Sequence, residues 1–243
     1  MKKTVLITGA ARRIGAEIAR YLHSADMNII LHYRHSTADA KALQKELVDK
    51  RPDSCTLLQG DLQDIEAFPA LIHQAARQWG GLNALINNAS SYYPTPIDTL
   101  DESQWNDLIL SNLKAPFFLA QAAATLLEKN QGCIVNIVDI HGIRPLKDYS
   151  IYSIAKAGLI SATRSLAKEL GPDIRVNGIA PGAILWPETK TTDQQKAEII
   201  SRVPLGRIGL PTDIAKAALF LIRDADYITG QIIAVDGGRS LSN

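Results

Sequence analysis

Cysteine is scarce: Cys55 and Cys133 are the only two in 243 residues, which excludes a disulfide framework. Both stand in apolar runs without C-x-x-C or metal-ligand spacing, so they read as buried free thiols of a reducing compartment, with no metal site. Charge of one sign is also missing. The 26 basic residues against 25 acidic ones leave a net charge of +1, too little to hold nucleic acid or an anionic membrane. No apolar run approaches the roughly 20 residues of a membrane span, and the run Val5 to Ile7 is far too short for a signal-peptide core. Repeats, low-complexity tracts and Pro/Gly/Ser-rich linkers are lacking. The expectations are a cytoplasmic protein, a single domain over 1–243 and a small-molecule partner.

What is present is alternation. Short β-branched runs at 4–8, 28–33, 54–59, 84–87, 133–138, 175–179 and 232–235 read as strands. Amphipathic patterns near 13–24, 37–50, 64–79, 101–129, 151–170, 193–202 and 211–223 read as helices. The strand runs are apolar on both faces, as a parallel sheet covered by helices on both sides requires. An irregular stretch follows Pro181-Gly182, and about 183–203 is expected to act as a substrate lid.

The first strand ends in Thr8-Gly9-Ala10-Ala11-Arg12-Arg13-Ile14-Gly15 before a helix. Glycines at such a turn let a pyrophosphate approach the backbone at the helix N-terminus. Arg13 reads either as a solvated charge or as a fork aimed at a phosphate. After the second strand, an acid usually holds the ribose 2′-hydroxyl of NAD. Here His32-Tyr33-Arg34-His35-Ser36 contains none. Positive charge and donors at this point favour the 2′-phosphate of NADP, with Arg13 and Arg34 supplying charge and Ser36 and His35 adding donors. Asp61, after the third strand, can meet an adenine amino group. Asn87-Asn88-Ala89-Ser90-Ser91-Tyr92 suits a turn as well as a ligand. Asn112 is a poor helix former inside a helical pattern, placed there for a backbone contact or a proton relay.

Asp139 stands at the end of the fifth strand, the ligand edge of such sheets, as a general acid or a turn cap. Thirteen residues later comes Tyr152-x-x-x-Lys156, a pair on one helix face. The ammonium is expected to lower the phenol pKa from its ordinary value of about 10. A lone pair of this spacing is weak evidence; its setting in the rest of the chain is what strengthens it.

In this order and spacing, Thr8-Gly9…Gly15, Asp61, Asn87-Asn88-Ala89, Asn112, Tyr152-x-x-x-Lys156, Pro181-Gly182 and Asp236-Gly237-Gly238 resemble the short-chain dehydrogenase/reductase family over the whole chain. The resemblance implies a Rossmann-type α/β fold, a doubly wound seven-stranded parallel sheet, a nicotinamide cofactor and usually a homotetramer. It implies cofactor contacts from Gly9, Arg13, Ile14, Gly15, Tyr33, Arg34, His35, Ser36, Asp61, Leu62, Asn88, Ala89, Ser90, Asn112, Lys156, Pro181 and Gly182. Two departures are similar to the pteridine reductase branch: Arg13 replaces the middle glycine of T-G-x-x-x-G-x-G, and Asp139 replaces the catalytic serine. That branch implies Asp139, Tyr152 and Lys156 as catalytic residues. It implies a pterin bound by Arg13, Ser90, Tyr92, Asp139 and Tyr152, with Tyr92 stacked on the ring. His35 stands where relatives often carry Arg.

The expected function is an NADPH-dependent reductase of a dihydropterin, dihydrobiopterin or dihydromonapterin, with dihydrofolate as a further substrate. The alternatives are a 3-oxoacyl thioester or small-ketone reductase, against which Asp139 counts, and a non-catalytic NADP sensor, which has no need of Tyr152 and Lys156.

Overall fold

The computed structural model describes residues 2–186 and 192–242. The chain runs β1 (Thr4–Ile7), α1 (Arg13–Ser24), β2 (Asn28–Tyr33), α2 (Thr37–Lys50), β3 (Cys55–Gln59), α3 (Phe68–Arg77), β4 (Ala84–Asn87) and α4 (Glu102–Ile109). It continues with α5 (Ala115–Glu128), β5 (Cys133–Ile137), α6 (Ser150–Glu169), β6 (Arg175–Pro181), α7 (Asp193–Ser201), α8 (Pro211–Arg223) and β7 (Ile232–Val235). The strands form one parallel sheet in the order β3-β2-β1-β4-β5-β6-β7. The order reverses between β1 and β4, so a crevice opens at the carboxyl ends of these two strands.

Side chains alternate between the two faces of a strand, and β1 shows the consequence. Val5 and Ile7 pack with Ile18, Leu22, Ile214 and Leu221, the apolar faces of α1 and α8. Leu6, between them, packs with Phe68, Ile72, Leu119, Ala123 and Leu166 from α3, α5 and α6. Both faces of the inner strands are therefore dry. Truncating a side chain such as Leu6, which is 0% exposed, to Ala costs about 2–5 kcal/mol.

Two expected helices differ from their sequence pattern. The segment 101–129 divides into α4, a π turn over Leu110–Lys114, and α5. Pro116 has no N–H to give to the Asn112 carbonyl, and Asn112 Nδ2 itself donates to Leu108 O at 3.0 Å. The ladder thus widens at Asn112 and aims its side chain sideways. The segment 64–79 opens with a 3₁₀ turn over Ile65–Ala67, and its α-helix starts only at Phe68. Residues 187–191 of the expected lid lie outside the described residues. After them Thr192 and Gln195 form a capping box at the start of α7.

Candidate active site

Every strand points its carboxyl end at the same edge, and the expected site residues collect there. The β1–α1 turn is built by close approach. Gly9 has φ +60°, and a Cβ on it would lie 2.9 Å from Ala89 Cα. A Cβ on Gly15 would lie 2.5 Å from Gly9 O and 2.6 Å from Asn88 Nδ2. Both positions require glycine. Thr8 Oγ1 accepts from the N–H groups of Asn88 and Ala89 at 2.9 and 3.0 Å, and Asn88 Nδ2 donates to Thr8 O and Gly9 O at 2.9 and 3.1 Å. Asn88 and Ala89 therefore hold the turn. The turn leaves bare backbone beside the start of α1, whose cap residue Arg12 makes no side-chain capping bond. A pyrophosphate fits such a cradle. Ile14 points inward and packs on the core.

Arg13 adopts φ +54°. The left-handed region costs a residue with a Cβ roughly 1 kcal/mol or more, which explains glycine as the family's choice at this position. Here the strain is borne by an arginine, at the turn that leads from β1 into α1.

The residues expected at the adenosine follow β2 and β3. Tyr33 is buried, Leu62 half-buried, and Arg34 and His35 exposed. Ser36 precedes α2 without making a side-chain capping bond. Arg34 Nη2 lies 2.8 Å from Asp61 Oδ2 and donates to Gln63 Oε1 at 3.3 Å. Both partners of this ion pair are about two-fifths exposed, so it contributes little and yields readily to a phosphate. His32 sits beneath, 2% exposed, and its Nδ1 accepts from Gly9 N at 3.4 Å. Burial pushes its pKa down to about 4, so it is a neutral acceptor that orients the glycine turn.

Asp139 follows β5 and divides its two oxygens. Oδ1 accepts from His141 N at 2.8 Å, capping the 3₁₀ turn Ile140–Gly142, while Oδ2 accepts from Tyr152 Oη at 2.9 Å. The two readings open from sequence, cap and proton partner, both describe it. The contact depends on Gly142, where a Cβ would meet the backbone carbon of Lys156 at 2.8 Å. Only glycine lets the Asp139 turn lie against α6. Lys156 is 2% exposed, and its Nζ donates to Ile137 O at 2.9 Å, 5.6 Å from the Tyr152 ring centroid.

This geometry corrects the expected electrostatics. Lys156 does not lower the phenol. Burial, followed by the charge of Asp139 and the hydrogen bond to it, holds the Tyr152 pKa well above the ordinary phenol range. Burial also brings Lys156 down to about 8, against the opposing pull of Asp139. Tyr152 is thus a neutral proton donor, locked onto a carboxylate.

Above Tyr152 lies an aromatic wall. The Tyr92 ring stacks on Tyr149 at 4.7 Å and meets Tyr152 edge-on at 4.9 Å. Thr95 N donates to Asp148 O at 2.6 Å and ties the Tyr92 loop to the start of α6. Ser90 Oγ donates to Asn112 Oδ1 at 2.6 Å, and Asn112 Nδ2 donates to Ser91 O at 2.9 Å. Asn112 therefore holds the substrate-side loop from the π turn. Tyr149, not singled out from sequence, stands immediately before α6, three residues ahead of Tyr152. Pro181 and Gly182 close the far side. Gly182 N donates to Val235 O at 3.1 Å, and a Cβ on Gly182 would lie 2.6 Å from Asp236 Cβ.

The strand ends thus carry a glycine cradle after β1, Arg34 and His35 after β2, and a carboxylate–phenol–ammonium cluster beside aromatic rings. The family model described as "Enoyl-(Acyl carrier protein) reductase" matches residues 9–240. The chain is 36% identical over 242 residues to the 3-oxoacyl-[acyl-carrier-protein] reductase of Staphylococcus aureus, covering 98% of both chains. It is 35% identical over 278 residues to pteridine reductase 1 of Leishmania tarentolae, covering 98% of this chain and 96% of the relative. A 3-oxoacyl-[acyl-carrier-protein] reductase of Chlamydia trachomatis is 34% identical over 242 residues, with 98% and 97% covered. Fold, site order and relatives agree: the chain is an oxidoreductase of the short-chain dehydrogenase/reductase family.

Proposed function

We propose that the chain is an NADPH-dependent reductase of a dihydropterin, dihydrobiopterin or dihydromonapterin, with dihydrofolate also accepted. The observation that carries this reading is the 2.9 Å bond from Tyr152 to Asp139 beneath the Tyr92 ring. A carboxylate at this position serves a C=N bond, which needs a proton at nitrogen, and a flat heteroaromatic ring gains from contact with Tyr92. The glycine cradle of Gly9 and Gly15 would hold NADPH, which would supply the hydride for this reduction. Tyr152, kept neutral by burial, holds the proton for the nitrogen, and Asp139 orients the phenol and relays the replacement proton. Lys156, mostly charged at neutral pH with its pKa near 8, steadies the negative charge left on the phenol. Arg13, Arg34 and Ser36 receive phosphates, and Arg13 and Ser90 flank the pterin.

The same reading carries one domain over 1–243, a lid at 183–203 and a homotetramer. Trp105, Phe117 and Ile154 expose apolar area on α4, α5 and α6 that further copies would cover. A second reading, reduction of a 3-oxoacyl thioester, is favoured by the identity to the Staphylococcus aureus reductase. Tyr92→Ala separates them. The pterin reading expects KM for dihydrobiopterin to rise about tenfold from lost stacking, with acetoacetyl thioester kinetics moving less; an equal rise for both substrates contradicts it.

A further inference from the structure

A chain of hydrogen bonds leads from the loop after β2 to the loop that carries Tyr92. Arg34 Nη2 donates to Gln63 Oε1 at 3.3 Å, and Gln63 Nε2 donates to Asp107 Oδ1 on α4 at 3.2 Å. Asp107 Oδ2 accepts from Tyr93 Oη at 2.9 Å. Each link has one direction. The Gln63 amide lies between a guanidinium and a carboxylate, so its oxygen faces the cation and its nitrogen the anion. Burial, then the bond to Asp107, push the Tyr93 pKa up to about 12, so the phenol stays a donor. The Gln63 backbone is fixed as well, its N–H donating to Asp61 Oδ1 at 2.9 Å.

At its far end the chain grips the same loop that Asn112 holds. Asn112 Nδ2 donates to Ser91 O at 2.9 Å, and Asp107, on the preceding α4, takes Tyr93. Tyr92 stands between these two anchors and meets the Tyr152 ring at 4.9 Å. At the near end the Arg34 guanidinium is shared between Gln63 and Asp61. A guanidinium offers several N–H donors, so a phosphate that takes the place of Asp61 leaves the bond to Gln63 standing. The phosphate then pins one end of the chain. Ordering that end reduces what remains to be ordered when a ring binds at the other.

We infer that Gln63 and Asp107 are positioning residues that couple a phosphate held by Arg34 to the placement of Tyr92, so that each ligand strengthens the binding of the other. The inference rests on the proposed function for a 2′-phosphate at Arg34 and an aromatic ring at Tyr92. What it adds is the link between them, through two residues outside both contacts.

Adenosine 2′,5′-bisphosphate and adenosine 5′-monophosphate differ only in the 2′-phosphate, and calorimetry of the cofactor-free protein reads their affinity ratio without turnover. The wild type is expected to prefer the bisphosphate about tenfold. Tyr93→Phe, a change in the substrate-side loop, should lower this preference about threefold, the scale of one lost hydrogen bond. Gln63→Leu should lower it at least as far. The double variant should fall no further than Gln63→Leu, because both changes cut one chain; independent effects would multiply. Coupling is reciprocal, so folate should bind the NADP-loaded wild type about threefold more tightly than the NAD-loaded one, and the two loaded forms of Gln63→Leu equally. A merely structural loosening of the loop weakens folate with both cofactors alike and leaves the nucleotide preference intact. A wild type that binds both nucleotides equally overturns the 2′-phosphate reading and the coupling with it. Failure of folate to bind either loaded form overturns the pterin reading, and the nucleotide preference still decides the coupling. A preference equal in wild type, Tyr93→Phe and Gln63→Leu overturns the coupling alone.

Discussion

Tyr152 donates its phenolic proton to Asp139 at 2.9 Å, while the other oxygen of that carboxylate is already engaged by the backbone N–H of His141. The carboxylate is thereby fixed in orientation before a substrate arrives. A family member with serine at this position has a donor where this chain has an acceptor.

Removing the carboxylate as Asp139→Ala should therefore lower kcat on a dihydropterin by about 100-fold or more, the scale of a lost proton-transfer group. The Kd for NADPH, measured by fluorescence titration, should change far less. Asp139→Ser should move relative activity towards acetoacetyl thioesters. Equal turnover in Asp139→Ala would remove Asp139 from the proton path.

Arg13 supplies a second expectation, about stability. At φ +54° a Cβ is strained and glycine is not. Arg13→Gly should be more stable than Arg13→Ala by about 1 kcal/mol in urea unfolding, since both lose the same guanidinium and differ only at the strained backbone. Both should bind NADPH more weakly than wild type. Equal stability of the two variants would mean that the backbone relaxes once the arginine is gone.

His32 adds a pH dependence. Its pKa of about 4 in the fold lies below its ordinary 6.5, so between these values the unfolded chain binds the extra proton. Stability then rises with pH across that window and is lost as pH falls from 6.5 to 4, by up to about 3 kcal/mol. His32→Asn keeps an acceptor for Gly9 N and removes the titration. Unfolding free energies of the two proteins measured from pH 4 to 7 should converge at the acid end, and a constant difference would exclude His32 as the source.

Much of this was legible before any coordinates. Runs apolar on both faces announce a sheet covered by helices on both sides, although they do not mark β3 and β7 as its partly exposed edges, and Gly9 and Gly15 announce a turn pressed against a neighbour. The Asp139–Tyr152 spacing places both at one edge because a strand end and a helix start meet there. Depth was not legible. Spacing puts Lys156 near Tyr152, but only the fold shows that the ammonium is buried on Ile137 O and that burial raises the phenol. Contacts between distant loops were hidden for the same reason: Arg34 with Asp61, Tyr92 with Tyr149, and Arg144 with Ser242. The π turn at Asn112 was concealed because its helical periodicity continues through the break.

The most direct measurement of the central claim is NADPH oxidation by the wild-type protein with dihydrobiopterin, dihydromonapterin and dihydrofolate, set against acetoacetyl-coenzyme A. The account predicts turnover of at least one dihydropterin with a kcat/KM well above that for the thioester. Thioester turnover with none on any pterin would contradict it, and would leave Asp139 serving a carbonyl in place of a C=N bond.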